Sequence, residues 1–179
     1  MNRQRIAPDL ELRLVEPRDA AELFAVIDRN RAHLRPWLPW ADAVQRVEDE
    51  EAFIARDLAG RESGAFHCTV LERGAIVGGV GLHAIDPPNF KAEVGYWLDE
   101  AHQGKGIITL ACRAVVNHLF GEMKLHRVSI ECGVENRRSR AVPERLGFAL
   151  EGIHREAHWV NDRFLDLACY AMLANQWKA

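Results

Sequence analysis

The chain has 179 residues, 48% of them hydrophobic and 27% charged, the length and mixture of one globular domain with room for a proper core. A formal charge of −3 and a pI near 6.2 argue against non-specific nucleic-acid binding, which needs a cationic footprint. Apolar runs such as Ala75 to Leu82 are strand-sized, far short of the roughly 18–20 residues of a membrane span, and the polar stretch Met1 to Pro8 lacks the apolar centre of a secretion signal. A cytoplasmic protein with neither membrane nor nucleic acid as partner is the expectation.

Leu10 to Val15 alternates apolar and charged residues and predicts a half-buried strand. Pro17 opens a helix to Asn30, with Ala21, Phe24, Ala25 and Ile27 at helical spacing. His33 to Trp40 is a linker rich in proline and tryptophan. Val47 to Gly60 predicts a charged amphipathic helix whose buried stripe is Phe53, Ile54 and Leu58. Phe66 to Leu71 and Ile76 to Ile85 are two strands joined by the turn Arg73-Gly74, and Glu93 to Leu98 follows as a third after Pro87-Pro88. Beyond Gln103 a glycine-rich loop leads into a helix from Ile107 to Phe120. Val128 to Val134 is then a strand, Ser139 to Leu146 a short helix ended by Gly147, and Phe148 to Trp159 and Arg163 to Leu173 the last strands. Strand runs followed by strand–helix alternation predict an α/β or α+β mixed sheet with helices on both faces, one domain over residues 8–175 with tails at 1–7 and 176–179.

Cys68, Cys112, Cys132 and Cys169 each lie in an apolar periodic segment and read as small buried hydrophobes in a reducing compartment. No metal site is expected. His154 and His158 are four residues apart, but on a strand they do not converge as a helical pair does.

Gln103-Gly104-Lys105-Gly106-Ile107-Ile108-Thr109 lies between a strand and a helix, where glycines let the backbone approach a phosphate and free N–H groups at the helix start face the anion. The loop lacks the four-residue spacing of a Walker motif, and Thr109 stands where a dinucleotide fingerprint needs its third glycine. A plain strand-to-helix turn is the alternative for the loop taken alone.

The pattern Gln-x-x-Gly-x-(Gly/Ala), preceded by Glu93-Val-Gly-Tyr-Trp-Leu98 and followed by Asn136-Arg-Arg-Ser139 and Leu146-Gly147-Phe148, resembles the GCN5-related N-acetyltransferases. Together with Arg35-Pro-Trp-Leu-Pro-Trp40 it is similar to the branch that acetylates ribosomal-protein N-termini, over nearly the whole chain. Ile108 departs from the family preference for Gly or Ala. The resemblance implies a mostly antiparallel central sheet with splayed strands that hold coenzyme A, acetyl-coenzyme A as donor, and a homodimer. It implies cofactor contacts at Gln103, Gly104, Lys105, Gly106, Ile107, Ile108 and Thr109, pantetheine pairing with backbone at Trp97 and Leu98, a bond from Asn136, and acceptor walls at His33, Trp37 and Trp40. Two tryptophans plugging the core under a long loop are the other reading of Trp37 and Trp40.

Acetyl transfer to an amine needs a neutral nucleophile and help for the departing thiolate. An α-amine titrates near about 7.7–8.0 against about 10.4 for lysine, so one carboxylate, acting directly or through water, suffices as base. Glu93 is the candidate, with Gly95 on the same strand face leaving room for a ligand; a solvated strand carboxylate is its alternative. Ser139 is the candidate hydrogen-bond donor to the thiolate, or else a helix N-cap. Pro143 has no N–H, which leaves the carbonyl of Ser139 without a helical partner. Tyr96 alternates to the opposite face from Glu93 and reads as core. Arg137, Arg138 and Arg140 are either a solvated face or include a ligand for the 3′-phosphate. The reading is an N-acetyltransferase acting on a protein N-terminus, with acetylation of a small amine and a non-catalytic coenzyme-A-binding module as the alternatives.

Overall fold

The computed structural model describes residues 2–178. Eight strands form one sheet in the order β1-β2-β3-β4-β5-β6-β8-β7, with β1 Arg3–Ala7, β2 Leu10–Leu14, β3 His67–Glu72, β4 Ala75–Asp86, β5 Lys91–Leu98, β6 Arg127–Gly133, β7 Ala149–Val160 and β8 Arg163–Leu173. Every neighbouring pair is antiparallel except β5 with β6, which is parallel. Helices α1 (Ala20–Arg29) and α4 (Val47–Gly60) cover one face, where Leu23, Val26 and Ile54 pack with Val15, Leu71 and Ile76. Helices α5 (Ile107–Gly121) and α6 (Arg137–Arg145) cover the other, where Ala111, Val115 and Leu119 join the main cluster with Leu12, Val70, Val80 and Ile130. This is the mixed sheet with helices on both faces that the sequence predicts. All four cysteines are buried.

Four segments differ from expectation. Residues 3–7, expected as a tail, form the edge strand β1, which pairs antiparallel with β2. Its residues are exposed or half-buried, so it carries no alternation to read. At the other end Trp177 packs against Phe120 and Phe148 with Arg113 over its ring, and its indole N–H donates to Asn117 Oδ1 at 2.7 Å. The expected linker 33–40 is largely helical turns: α2 (Arg31–Leu34) and α3 (Trp40–Ala43) bury Leu34 and Ala41 in a small cluster of their own. Helix α4 has its predicted bounds but a rotated stripe, with Glu50, Ile54 and Asp57 buried and Leu58 39% exposed. Charge is tolerated there because Asp57 accepts from Arg61 at 2.8 Å and meets His67 Nδ1 at 2.9 Å. The Glu50 carboxyl is pushed up to about 7, chiefly by burial.

The feature that creates the site is a parting of strands. The β5–β6 ladder runs from Lys91↔Arg127 to Glu93↔Ser129 and stops. Beyond it β5 continues to Leu98 on β4, and β6 to Gly133 on β8, so the two diverge. Gly78 and Gly79 on β4 seat the far arm. A Cβ at Gly78 would lie 2.5 Å from the Trp97 carbonyl oxygen, and one at Gly79 would lie 2.7 Å from Trp97 Nε1.

Candidate active site

The loop closes the open end of the parted strands. Gly104 and Gly106 have φ of 76° and 77°, the left-handed region that glycine enters without a Cβ penalty, and no other side chain fills the space beside them. Gly106 is the N-cap of α5, whose first turn contains no acidic residue. The first N–H groups of a helix have no intrahelical acceptor, so this end is suited to a phosphate. Ile107 is buried and Ile108 packs against the same core, which makes the departure at Ile108 a matter of packing rather than of the loop's backbone donors.

Side chains brace the loop from three sides. Arg138 donates to Gln103 Oε1 at 2.7 Å, which orients the amide so that its Nε2 donates to His33 Nε2 at 2.7 Å. His33 therefore carries its proton on Nδ1, 4.0 Å from Glu100 Oε1. Glu72 receives His102 Nδ1 at 2.6 Å and lies 3.9 Å from Lys105 Nζ. Of the three arginines, Arg140 is committed to the Tyr170 hydroxyl (2.9 Å) and the Val134 carbonyl (3.1 Å), Arg138 to Gln103, and Arg137 is exposed.

The two faces of β5 at the parting are chemically opposite. On one face Tyr96 donates to the carbonyl of Ser139 at 2.8 Å, the acceptor that Pro143 leaves without a helical N–H. The Ser139 hydroxyl lies 3.2 Å from both Tyr96 Oη and Cys132 Sγ. Burial, with Cys132 and Cys112 nearby, raises the Tyr96 phenol well above its ordinary value; burial also raises the Cys132 thiol, so this cluster is neutral. The N-cap of α6 is Asn136, whose Oδ1 accepts from the Ser139 backbone N–H at 3.1 Å, so the serine side chain is not a cap. Tyr96, read from alternation as plain core, belongs to this cluster; the carbonyl orphaned by Pro143 was the signal for it.

The other face opens on a cavity of about 600 Å³ lined by Glu93, Ser129, Glu131, Glu151, His154 and Cys169 among others. Glu93 stands at the last position of β5 that pairs with β6, opposite the bulge in β4 between Leu82 and Ala84. A Cβ on Gly95 would meet nothing nearer than His83 Cβ at 3.7 Å, which leaves the expected room. Burial, and then the charge of Glu131, raise the Glu93 carboxyl, with His83 opposing. In the same cavity burial and Glu131 push the Cys169 thiol up to about 11. Arg127 is paired with Glu151 and Lys91 with Asp86 (3.4 Å), so no cation of this rim is spent on Glu93. Glu93 and Ser139 thus sit on opposite faces of the same gap, one on its open side and one on its closed side.

The aromatic candidates divide. Trp37 lies over Gly133 at the end of β6, where a Cβ would come within 3.2 Å of its ring. Trp40 is packed edge-on against Trp97 with centroids 6.1 Å apart and belongs to the small helical cluster. His33 is occupied by Gln103 rather than by the cavity.

A helix start suited to a phosphate leads into a gap between parting strands, with a raised carboxylate on one side and hydroxyls on the other, an arrangement that fits an acyltransferase drawing on a phosphorylated thioester carrier. The model of the acetyltransferase (GNAT) domain matches residues 9–149. The Bacillus subtilis (strain 168) protein YdaF is 38% identical over 97% of this chain and 96% of its own length. The ribosomal-protein-serine acetyltransferase of Escherichia coli (strain K12) is 34% identical over 94% of this chain and 95% of its own. A solved structure of RimL, a ribosomal L7/L12 α-N-protein acetyltransferase in complex with coenzyme A, superposes with a TM-score of 0.91 at 29% identity, over 94% of this chain and 96% of that one. The chain belongs to the GNAT acetyltransferase family, in which RimL is solved with coenzyme A and the microcin C7 self-immunity acetyltransferase MccE with acetyl-coenzyme A.

Proposed function

We propose that this enzyme acetylates the N-terminal α-amine of a ribosomal protein. The observation that carries the reading is the acidic cavity: Glu93 and Glu131 face it while its rim cations are already paired, which favours an incoming ammonium group. An α-ammonium sheds its proton far more readily than a lysine, so the single half-buried carboxylate Glu93 is a sufficient base, directly or through one water. The names of the Escherichia coli relative and of RimL support a ribosomal protein as acceptor, and such an acceptor places the enzyme in the cytoplasm with the ribosomes.

On the donor side, backbone N–H groups of Gly104 to Thr109 hold the pyrophosphate, and the β5 edge at Trp97 and Leu98, unpaired on the β6 side, bonds the pantetheine. Gln103 and Lys105 shape the loop through His33, Arg138 and Glu72. Asn136 keeps its side-chain N–H₂ for the carrier while its oxygen caps α6. The Tyr96 proton is committed to the Ser139 carbonyl, so the Ser139 hydroxyl, which donates at 3.2 Å within the cluster to Tyr96 Oη or Cys132 Sγ, is the group that turns to the departing sulfur. Trp37 walls the acceptor path, and His33 and Trp40 act one step behind it. A homodimer is part of the proposal, with the exposed, edge-on pair Trp159 and Phe164 at the β7–β8 turn as anchor rather than the packed Trp37 and Trp40. A monomeric mass by light scattering at all concentrations ends the dimer proposal.

Mass spectrometry of ribosomal-protein N-terminal peptides, polyamines and drug amines incubated with enzyme and acetyl-coenzyme A tests the acceptor. Acetylation confined to peptide α-amines is expected. Acetylation of small amines alone replaces the acceptor, and binding of acetyl-coenzyme A with no acetylated product leaves a binding module.

A further inference from the structure

The cavity holds a second arrangement, from which the proposed acetyl transfer draws only on the charge of Glu131. Glu131 on β6 and Cys169 on β8 are direct cross-strand partners, and His154 lies on β7, the next strand outward. Directly opposed residues point to the same sheet face, so β6 and β8 present a carboxylate and a thiol side by side. The β7 ladder is broken on either side of His154: the register shifts between Leu150 and Gly152, and again before His158. Those bulges leave His154 turned toward Glu131 instead of toward His158. His154 Nδ1 is 3.5 Å from Glu131 Oε1, Cys169 Sγ is 3.6 Å from the same oxygen, and all three ligand atoms lie within 4.8 Å of one another.

We propose that Glu131, His154 and Cys169 form a site for a borderline-soft divalent cation, zinc above all, and that its occupation shuts the acceptor cavity. Imidazole nitrogen, thiolate sulfur and carboxylate oxygen are the three donor types that zinc takes, and hard cations such as magnesium avoid sulfur. Tetrahedral bonds of about 2.0–2.3 Å place neighbouring ligand atoms roughly 3.3–3.7 Å apart, the spacing that two of the three edges already have. The third closes by rotation of His154, whose side chain is 61% exposed. Binding breaks the Cys169 S–H bond, forms the metal–sulfur bond and releases the proton to solvent. The fourth position faces the cavity, and the cation replaces the negative field that attracts an ammonium group with a positive one. The cation site stands on the three strands alone; its effect on transfer rests on the cavity being the acceptor's.

Cobalt(II) chloride titrated into the full-length protein reads the site directly. A single equivalent should bind with thiolate-to-cobalt charge-transfer absorption, and zinc chloride should bleach it. Cys169→Ser and the exposed His154→Gln should each abolish the band and weaken zinc binding by roughly 10–100-fold or more, since loss of a mere supporting contact already has that effect. Acetyl-coenzyme A affinity, unchanged in both variants, certifies their fold. No cobalt binding, binding without the band, or a band that survives both substitutions overturns the site. Saturating zinc should stop acetyl transfer and a chelator should restore it. If the band forms and transfer continues, the cation site stands and the assignment of the cavity to the acceptor falls.

Discussion

The two faces of β5 carry opposite chemistry within a few residues of one strand. Tyr96 points into a dry cluster with Ser139 and Cys132, where burial keeps every group protonated and able to donate. Glu93, three residues earlier, points into an open acidic cavity, where its proposed role is to take a proton from an incoming ammonium group. Both groups have raised pKa values with burial as the first cause. The outcome differs because a raised phenol remains a donor at neutral pH, whereas a raised carboxylate becomes a stronger base. Environment thus sets a protonated phenol and a raised carboxylate three residues apart on a single strand, on either side of the gap that opens where β5 parts from β6.

The sharpest way to break this contrast is Glu93→Gln, which keeps size and polarity on the open face but removes the base. Turnover at neutral pH should fall by about 10², the low end for a positioned base because an α-amine is partly neutral already. It should recover as pH rises past the amine's own value of about 7.7–8.0, while acetyl-coenzyme A affinity holds. Wild-type rates between pH 6 and 9 would leave deprotonation to solvent.

On the donor side, a Gly104→Val, Gly106→Val double variant puts β-branched residues at positive φ, at roughly 1–2 kcal/mol of strain each. Calorimetry should show acetyl-coenzyme A binding weakened by about 10–100-fold with the fold intact, because an added Cβ meets nothing within 4 Å. Unchanged affinity removes the phosphate-loop reading.

The closed face is tested by Tyr96→Phe. It strips the donor from the Ser139 carbonyl, at about 1–3 kcal/mol of stability measured by denaturant, and should slow transfer only a few-fold, through the position of Ser139. Ser139→Ala should slow it more, by about tenfold and no further, since a thiol of pKa about 8.5 is already a fair leaving group. If the tyrosine variant is the slower of the two, the division of labour within the cluster is the reverse of that proposed.

Glu50→Gln calibrates the comparison with a raised carboxyl remote from the gap. Its folded value of about 7 lies above the ordinary 4.5, so its stabilising contribution is complete below about pH 4.5 and is lost as pH rises through about 7. The variant should therefore be more stable than wild type by up to about 3 kcal/mol above pH 7, and equal to it below pH 4.5, with turnover unchanged. A uniform offset across pH would mean that the effect is packing.

Some of this protein follows from its sequence taken locally. Alternation and helical spacing are short-range properties, so most strands, α4, α5 and the stop at Gly147 could be placed from neighbours alone. The shape of the glycine loop was legible for the same reason: its proposed phosphate contacts reside in backbone, and only the glycines and the following helix are needed to specify it. Even the free carbonyl of Ser139 could be read from Pro143, four residues on. Which group fills a vacancy depends on contacts between distant segments, and there the sequence is silent. Tyr96 reaches that carbonyl because β5 and β6 part after Glu93↔Ser129. The rotated stripe of α4 depends on Arg61 and His67 arriving to pair Asp57, and β1 exists because β2 offers it an edge. The cavity gathers side chains from β4 to β8, strands that begin at residue 75 and end at residue 173, and bulges in β7 rather than spacing turn His154 toward Glu131 and Cys169. Periodicity fixes which face a side chain takes on its own element; only the pairing order of the strands decides what meets it there.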